Sequence, residues 1–114
     1  MKKLIALAVL QVVSISHSVT LSCDPFPLST PTNPGWLNFY RADKTGEFCA
    51  GSPQWIGHTA QTYVAGTAVP PKYTDTIASG SYCYYVSFIY TPSGTPTPVE
   101  TELSDPLIVT VPTP

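Results

Sequence analysis

The three cysteines are the residues of this chain most able to form covalent bonds or act as nucleophiles. Cys23, Cys49 and Cys83 are an odd number, so in an exported chain they predict one disulfide and one remaining thiol, with three possible pairings. Their spacings match no zinc motif, because no two lie close together in the sequence. A nucleophilic cysteine needs a base beside it, and no local residue supplies one. The residues alone therefore predict a disulfide and leave its pairing open.

The side chains that could act in acid–base chemistry or bind a metal are few and scattered. His58 follows a short β-prone segment and is interpreted as an exposed surface histidine. Glu100 and Glu102 would share one face of an extended segment, and paired carboxylates can cleave glycosides or bind calcium. They stand between prolines without a third ligand, so a solvated loop is the favoured interpretation. We therefore expect no catalytic activity, no metal and no cofactor.

Length and composition indicate one all-β domain. The chain has 114 residues, which suits a single domain, and 13 prolines spread along it. Proline is excluded from helix interiors and from central strands, so this spread favours many short strands separated by turns. The net charge is -2 and there is no basic stripe. The charge of the chain therefore gives no electrostatic support for binding to nucleic acid or to an anionic membrane surface.

The N-terminus has the layout of a secretory signal peptide. Lys2 and Lys3 precede an apolar run from Leu4 to Val13, and the small residues Ser14 and Ser16 follow. The run is too short to span a bilayer as a stable helix. We predict cleavage after Ser16, which leaves residues 17–114 as a secreted, extracellular or periplasmic domain without membrane insertion. The alternative is that residues 8–16 are retained as a first strand.

Alternating apolar and polar residues, bounded by proline and glycine turns, predict six strands. In the first of them Val19, Leu21 and Cys23 fall on one face, which is the period of a half-buried strand. Several short strands divided by such turn signals are typical of a sandwich or a barrel. The predicted strands span residues 18–23, 36–42, 54–58, 72–77, 81–90 and 106–111.

The order of five segments resembles the fibronectin type III family, most closely its short bacterial exported or phage-associated versions. The similarity covers about residues 18–112 and implies an immunoglobulin-like, two-sheet antiparallel sandwich. By this resemblance the six strands are B, C, C′, E, F and G, and strand A is uncertain because its only candidate residues are also the signal peptide. The segments that carry the resemblance are SVTLSC-DP, LNFYRA, KYTDT, SG-SYCYYVSFIY and ELSDPLIVTVP.

The resemblance also implies how the cysteines pair. Cys23 stands where the family has a tryptophan, and Cys83 stands where it has its corner tyrosine. In the family topology strand C runs antiparallel to F, so the loop after C, with Cys49, lies beside the start of F. The resemblance thus implies a Cys49–Cys83 disulfide with Cys23 as a small buried hydrophobe. The rival pairing, Cys23–Cys83, would mimic the immunoglobulin disulfide.

Exposed aromatics are the best indication of a binding surface. By the resemblance, Cys83, Tyr85, Ser87 and Ile89 of strand F face the core and their neighbours face outward. The opposite register, with Val86 and Phe88 in the core, is favoured by hydrophobicity alone, and a one-residue slip exchanges the two faces. The predicted binding residues on the outward sheet are Trp36, Tyr40, Trp55, Tyr84 and Phe88.

Two kinds of function are compatible with such a surface. The first is an adhesive or scaffolding module that presents the sheet to a protein, including a second copy of itself, freely in the medium or on a cell or virion surface. The alternative is a carbohydrate-binding module, in which Trp36, Tyr40 and Trp55 stack on sugar rings. Coplanar aromatics beside polar donors would favour sugar, and a continuous apolar patch or an unpaired edge of strand B would favour protein.

Overall fold

The chain is all-β. The structure, a computed structural model, describes residues 11–15, 18–25, 30–49, 51–92, 94 and 96–112. No helix able to cross a membrane occurs in these residues. The strands are β1 (Gln11–Ile15), β2 (Ser18–Ser22), β3 (Trp36–Thr45), β4 (Phe48–Cys49), β5 (Gln54–Ala60), β6 (Thr62–Val64), β7 (Thr67–Val69), β8 (Lys72–Thr76), β9 (Gly80–Tyr90), β10 (Val99–Glu100) and β11 (Leu107–Val111).

The first sheet has three antiparallel strands in the order β1-β2-β8. On β2, Val19 and Leu21 are fully buried, and their neighbours are half-buried. They pair with Asp75 and Tyr73 of β8, so these four side chains face the same way, toward the second sheet. The alternation along β2 therefore has the period that the sequence predicts, and it buries one face of this sheet.

The second sheet is built around the pairing of β3 with β9. Eight residue pairs join them in antiparallel register, from Trp36 opposite Ile89 to Asp43 opposite Tyr82. The strand β5 pairs with the other side of β3, with an irregularity between Phe39 and Tyr40. The far side of β9 pairs with β11 near its start and with β10 at its end. The two sheets are antiparallel and compatible with a β-sandwich.

Between β10 and β11 the edge of the second sheet is irregular, and two hydroxyl side chains bond there. Thr101 Oγ1 accepts the N–H of Phe88 at 3.0 Å, and Ser104 Oγ accepts the N–H of Val86 at 3.0 Å. The N–H groups of Thr101 and Ser104 in turn donate to the carbonyls of the same two residues. Because an unpaired buried N–H destabilises the fold, these hydroxyls keep the edge of β9 bonded where the strand pairing is interrupted.

The hydrophobic core lies between the sheets and corrects the predicted register of β9. Tyr84, Val86 and Phe88 are at most 2 % exposed and belong to the core cluster. The resemblance-based register, which turned them outward, is wrong. The opposite register is the one observed, because it places three large side chains in the core. The cluster consists of Val19, Leu21, Cys23, Leu37, Phe39, Tyr84, Val86, Phe88, Val109 and Val111.

One tyrosine crosses the core and depends on a glycine of the opposite sheet. The Tyr73 ring stacks on Phe39, with 5.2 Å between ring centroids, and its hydroxyl donates to the Ile56 carbonyl at 2.7 Å. A Cβ atom on Gly57 would lie 2.5 Å from Cε1 and from Oη of Tyr73. Real Cβ atoms do not approach other atoms so closely, so Gly57 leaves the space that the ring fills.

All six predicted strands are present, with ends displaced by a few residues. Residues 61–71 lie outside the six predicted strands, but they contain the β6–β7 hairpin, whose turn residues Ala65 and Gly66 both have positive φ, at 52° and 83°. Such a two-residue turn matches the twist of a hairpin. The strand β1 falls within the segment interpreted as a signal peptide or a retained first strand, and cleavage after Ser16 stays a prediction.

Gly57→Ala should lower the free energy of unfolding by about 1–3 kcal/mol, because the added methyl overpacks the Tyr73 ring. Urea unfolding followed by tryptophan fluorescence measures the loss. In a Tyr73→Leu background the ring is gone, so the same glycine substitution should cost less, and the double-mutant cycle reports this coupling. A Gly57→Ala chain as stable as the original would contradict the packing described here.

Candidate functional site

The side of the second sheet that faces away from the core collects polar and aromatic residues. Because neighbours on a strand point to opposite faces, the residues that alternate with the buried Leu37 and Phe39 face outward. The strand pairings place residues of β5, β9 and β10 beside them. We give the name outer face to seven residues of this side, namely Trp36, Asn38, Tyr40, Trp55, His58, Ser87 and Glu100. Tyr85 and Ile89 of β9 lie on the same side of the sheet.

Glu100 is the hydrogen-bonding centre of the outer face. Its Oε2 accepts from the Tyr40 hydroxyl at 2.6 Å and from Asn38 Nδ2 at 3.3 Å. The hydroxyl of Ser87, which is fully buried, donates to the same oxygen. Three donors from two strands thus converge on one carboxylate oxygen of β10. None of these three donors bonds to the other carboxylate oxygen, Oε1. The Glu100 side chain is exposed.

These contacts favour the ionised form of Glu100. Partial burial alone would raise the pKa of its carboxyl, but the three hydrogen bonds outweigh burial and hold the pKa below its ordinary value of 4.5. For Tyr40, burial and the hydrogen bond to Glu100 both raise the pKa of the phenol. At neutral pH the uncharged Tyr40 phenol therefore donates to an ionised Glu100 carboxylate, which is a charge-assisted hydrogen bond.

Trp55 is tied to the same network although its ring is open to solvent. The indole N–H donates to Asn38 Oδ1 at 3.0 Å, so Asn38 joins Trp55 to Glu100. The Trp55 ring stacks on His58, with 6.1 Å between centroids and 22° between planes. Trp55 is 56 % exposed and Trp36 is 41 % exposed. The outer face therefore presents two large aromatic surfaces, and the network fixes the position of the Trp55 ring.

The five predicted binding residues divide between the two faces of the sheet. Trp36, Tyr40 and Trp55 lie together on the outer face, as predicted from their positions on strands C and C′. Tyr84 and Phe88 do not, because they are buried in the core at 0 % and 2 % exposure. They are withdrawn as candidate binding residues, since the observed register of β9 turns them inward.

Sequence reasoning missed the carboxylate at the centre of the site. Glu100 was interpreted as part of a solvated loop, but it lies on β10 opposite Ile89. Asn38 and Ser87 were not singled out, although both are buried polar residues, at 7 % and 0 % exposure. The signal in the sequence is weak. Polar residues alternating with Leu37 and Phe39 on β3 indicate an outward row, but nothing local predicts which carboxylate folds over it.

The disulfide joins Cys49 to Cys83, as the resemblance implied. It links β4 to β9, and because 34 residues separate its ends, the chain-entropy account assigns it roughly 3–4 kcal/mol of stabilisation. Cys23 is free and buried in the core. Burial, with a smaller effect from the Asp24 carboxylate, raises the pKa of its thiol to about 12. The thiol is therefore protonated and unreactive at neutral pH.

A second polar cluster lies between the sheets and is structural. Arg41 Nη1 and the Tyr84 hydroxyl both contact Asp75 Oδ2 at 2.6 Å. Burial and this hydrogen bond raise the pKa of the Tyr84 phenol, so it remains a donor. Asp75 is 7 % exposed, and a buried carboxylate needs such partners. The cluster joins β8 to β3 and β9, which fixes the two sheets relative to each other.

One cleft among the described residues lies around Arg41 and the segment before β5. Its volume is about 340 Å³, and Asp75 already binds the Arg41 side chain beside it. No three His, Cys, Asp or Glu side chains in the described part of the chain are placed to hold a metal ion. The lining residues of the cleft are Arg41, Ala42, Asp43, Gly51, Ser52 and Gln54.

Glu100→Gln should destabilise the fold more at neutral pH than in acid. Because the pKa of the folded carboxyl lies below 4.5, its contribution is complete above that pH and is lost as the pH falls through the folded value. Urea unfolding of the original protein and of the variant, at about pH 7 and about pH 3, measures the difference in stability. Glu102→Gln, which removes a nearby carboxylate outside the network, is the control. Equal losses at both pH values would contradict the network.

Cys23 should resist iodoacetamide in the native chain, because its thiol is buried and protonated. At about pH 8 without reductant, mass spectrometry should find no modified cysteine in the folded protein and one in the chain unfolded by guanidinium. Tryptic mapping should place that modification on Cys23, with Cys49 and Cys83 still joined. Rapid labelling of the native chain would show that the core around Cys23 is open.

Comparison of this chain with protein-family models, with curated proteins and with solved structures finds no match.

Proposed function

We propose that the chain is a non-catalytic binding module of the fibronectin type III kind, and that the outer face is its ligand surface. The observation that carries this proposal is the combination of two exposed tryptophans with a carboxylate held by three internal hydrogen bonds. The carboxylate and the Trp55 ring are fixed before any ligand arrives, so binding costs little ordering entropy there.

The fibronectin type III assignment is supported by strand order. One sheet runs β1-β2-β8, and the other places β5, β3, β9 and β11 side by side. These orders correspond to strands A-B-E and C′-C-F-G of that family, with β1 in the place of strand A. The resemblance of the sequence and the order of the strands both support this assignment.

A protein partner is the first candidate ligand. Exposed tryptophan and tyrosine are the residues that most often contribute binding energy at protein interfaces. Trp36, Tyr40 and Trp55 supply three such side chains on one face. A disulfide is consistent with an oxidising compartment, so the partner would be met outside the cytoplasm.

Carbohydrate is the second candidate, and one observation favours it. The aromatic rings stand beside the exposed Glu100 carboxylate, and a carboxylate oxygen accepts hydrogen bonds from sugar hydroxyls. Stacking on Trp36 or Trp55 would then orient the sugar ring, as in many aromatic ligand sites.

Selection of a phage-displayed peptide library on the immobilised chain tests the proposal. Peptides that bind the outer face should lose roughly 30-fold or more in affinity against Trp36→Ala/Trp55→Ala, because hot-spot truncations cost about 2 kcal/mol or more. Phe48→Ala is the matched control, since this side chain is 76 % exposed and lies outside the outer face.

The other outcomes separate the candidates. Binding to a glycan array that the double variant abolishes would support carbohydrate. Light scattering after size-exclusion chromatography would identify a second copy as the partner if the double variant alone became monomeric. Turnover of glycan or ester substrates would overturn a non-catalytic function. Retention of all binding by the double variant would overturn the outer face as the ligand surface.

A further inference from the structure

The outer face carries one fixed charge. Of its seven residues, Glu100 is the only Asp, Glu, Lys or Arg. A partner surface that covered this carboxylate without compensating it would bury an ionised group, which is strongly unfavourable. The ligand must therefore bring hydrogen-bond donors to Glu100, and a positive charge would compensate it most completely.

Three side chains direct hydrogen-bond donors to Glu100. Tyr40, Ser87 and Asn38 direct theirs to Oε2, and the Asn38 oxygen accepts the Trp55 indole N–H. Two oxygens of this cluster can still accept a hydrogen bond from a ligand, namely Oε1 of Glu100 and the Tyr40 phenolic oxygen. A sugar hydroxyl acts as both donor and acceptor, and these two oxygens can only accept. Lysine and arginine side chains have donors and no acceptors, so they match.

The aromatic rings add a second attraction for a cation. Trp36 and Tyr40 lie four residues apart on β3, about 13 Å at the rise of an antiparallel strand, on either side of Asn38. Trp55 stands opposite Tyr40 on β5. The face of a tryptophan or tyrosine ring attracts ammonium and guanidinium groups, most strongly for tryptophan. A cation held by Glu100 would lie close to Tyr40, whose hydroxyl contacts the same carboxylate.

We infer that the partner is a protein surface that places a lysine or arginine side chain against Oε1 of Glu100, among the rings of Trp36, Tyr40 and Trp55. This inference rests on the proposed function and names the chemistry that the outer face selects. The exposed rings would cover the aliphatic stem of the basic side chain, and Glu100 would bind its charged head.

Titration of the isotopically labelled chain with short peptides tests this directly. The probes are acetyl-Gly-Arg-Gly-amide, its lysine analogue, and the citrulline analogue, which keeps the shape of arginine without the charge. In proton–nitrogen correlation spectra the basic peptides should shift the Trp55 indole and Glu100 amide signals, and the citrulline peptide should not. Added salt should weaken the shifts, because the attraction is electrostatic.

Glu100→Gln should reduce the affinity for the arginine peptide by about three- to fivefold, the size expected when an exposed ion pair is lost and the aromatic rings remain. Glu102→Gln should leave it unchanged. The spectrum of each variant shows whether it is folded. The comparison of arginine with citrulline needs no variant, so it decides the question even if the network fails to form without Glu100.

The result that overturns the inference is an equal response to arginine and citrulline, or no response of the outer-face signals to either basic peptide. A neutral gluco-oligosaccharide is titrated in parallel. If it shifts the outer-face signals and the basic peptides do not, the ligand is a sugar and not a basic side chain. In those cases the library selection still decides the proposed function. If peptides selected there depend on Trp36 and Trp55 but contain no basic residue, the inference fails and the binding surface stands.

Discussion

The register of β3 against β9 is the constraint on which both the core and the candidate site depend. Eight consecutive pairs fix it, and each pair assigns two side chains to the same side of the sheet. Leu37 with Phe88 faces the core, and Asn38 with Ser87 faces outward. A slip of one residue in either strand would bury the polar row and expose the apolar row. The same pairing therefore builds the core and the outer face at once.

Much of the fold could be predicted, because alternation and turn residues act locally. The six principal strands follow from them, and the family resemblance supplied the Cys49–Cys83 pairing. The register of β9 could not be taken from the resemblance, because this strand has bulky residues at neighbouring positions, such as Tyr84 and Tyr85. Hydrophobicity indicated the observed register, since it buries Phe88 and turns Ser87 to the polar side.

The candidate site was only partly predictable, for a different physical reason. Its aromatic residues lie on strands with clear patterns, so Trp36, Tyr40 and Trp55 could be placed on one face. Glu100 acts through contacts with residues 13 to 62 positions away in sequence. These contacts exist only because β10 continues along β9 past an irregular edge. No local pattern encodes such an arrangement, whereas strand pairing creates it.

The disulfide has a consequence for how the protein withstands proteolysis. The covalent ring from Cys49 to Cys83 contains β5, β6, β7 and β8, which are strands of both large sheets and the small hairpin. A protease that cut the exposed turn at Ala65 and Gly66 would break one peptide bond, but both fragments would stay joined through the sulfur atoms. The pieces would remain at high effective concentration, as in any tethered pair. A nicked chain could thus keep its sheets paired and its outer face assembled.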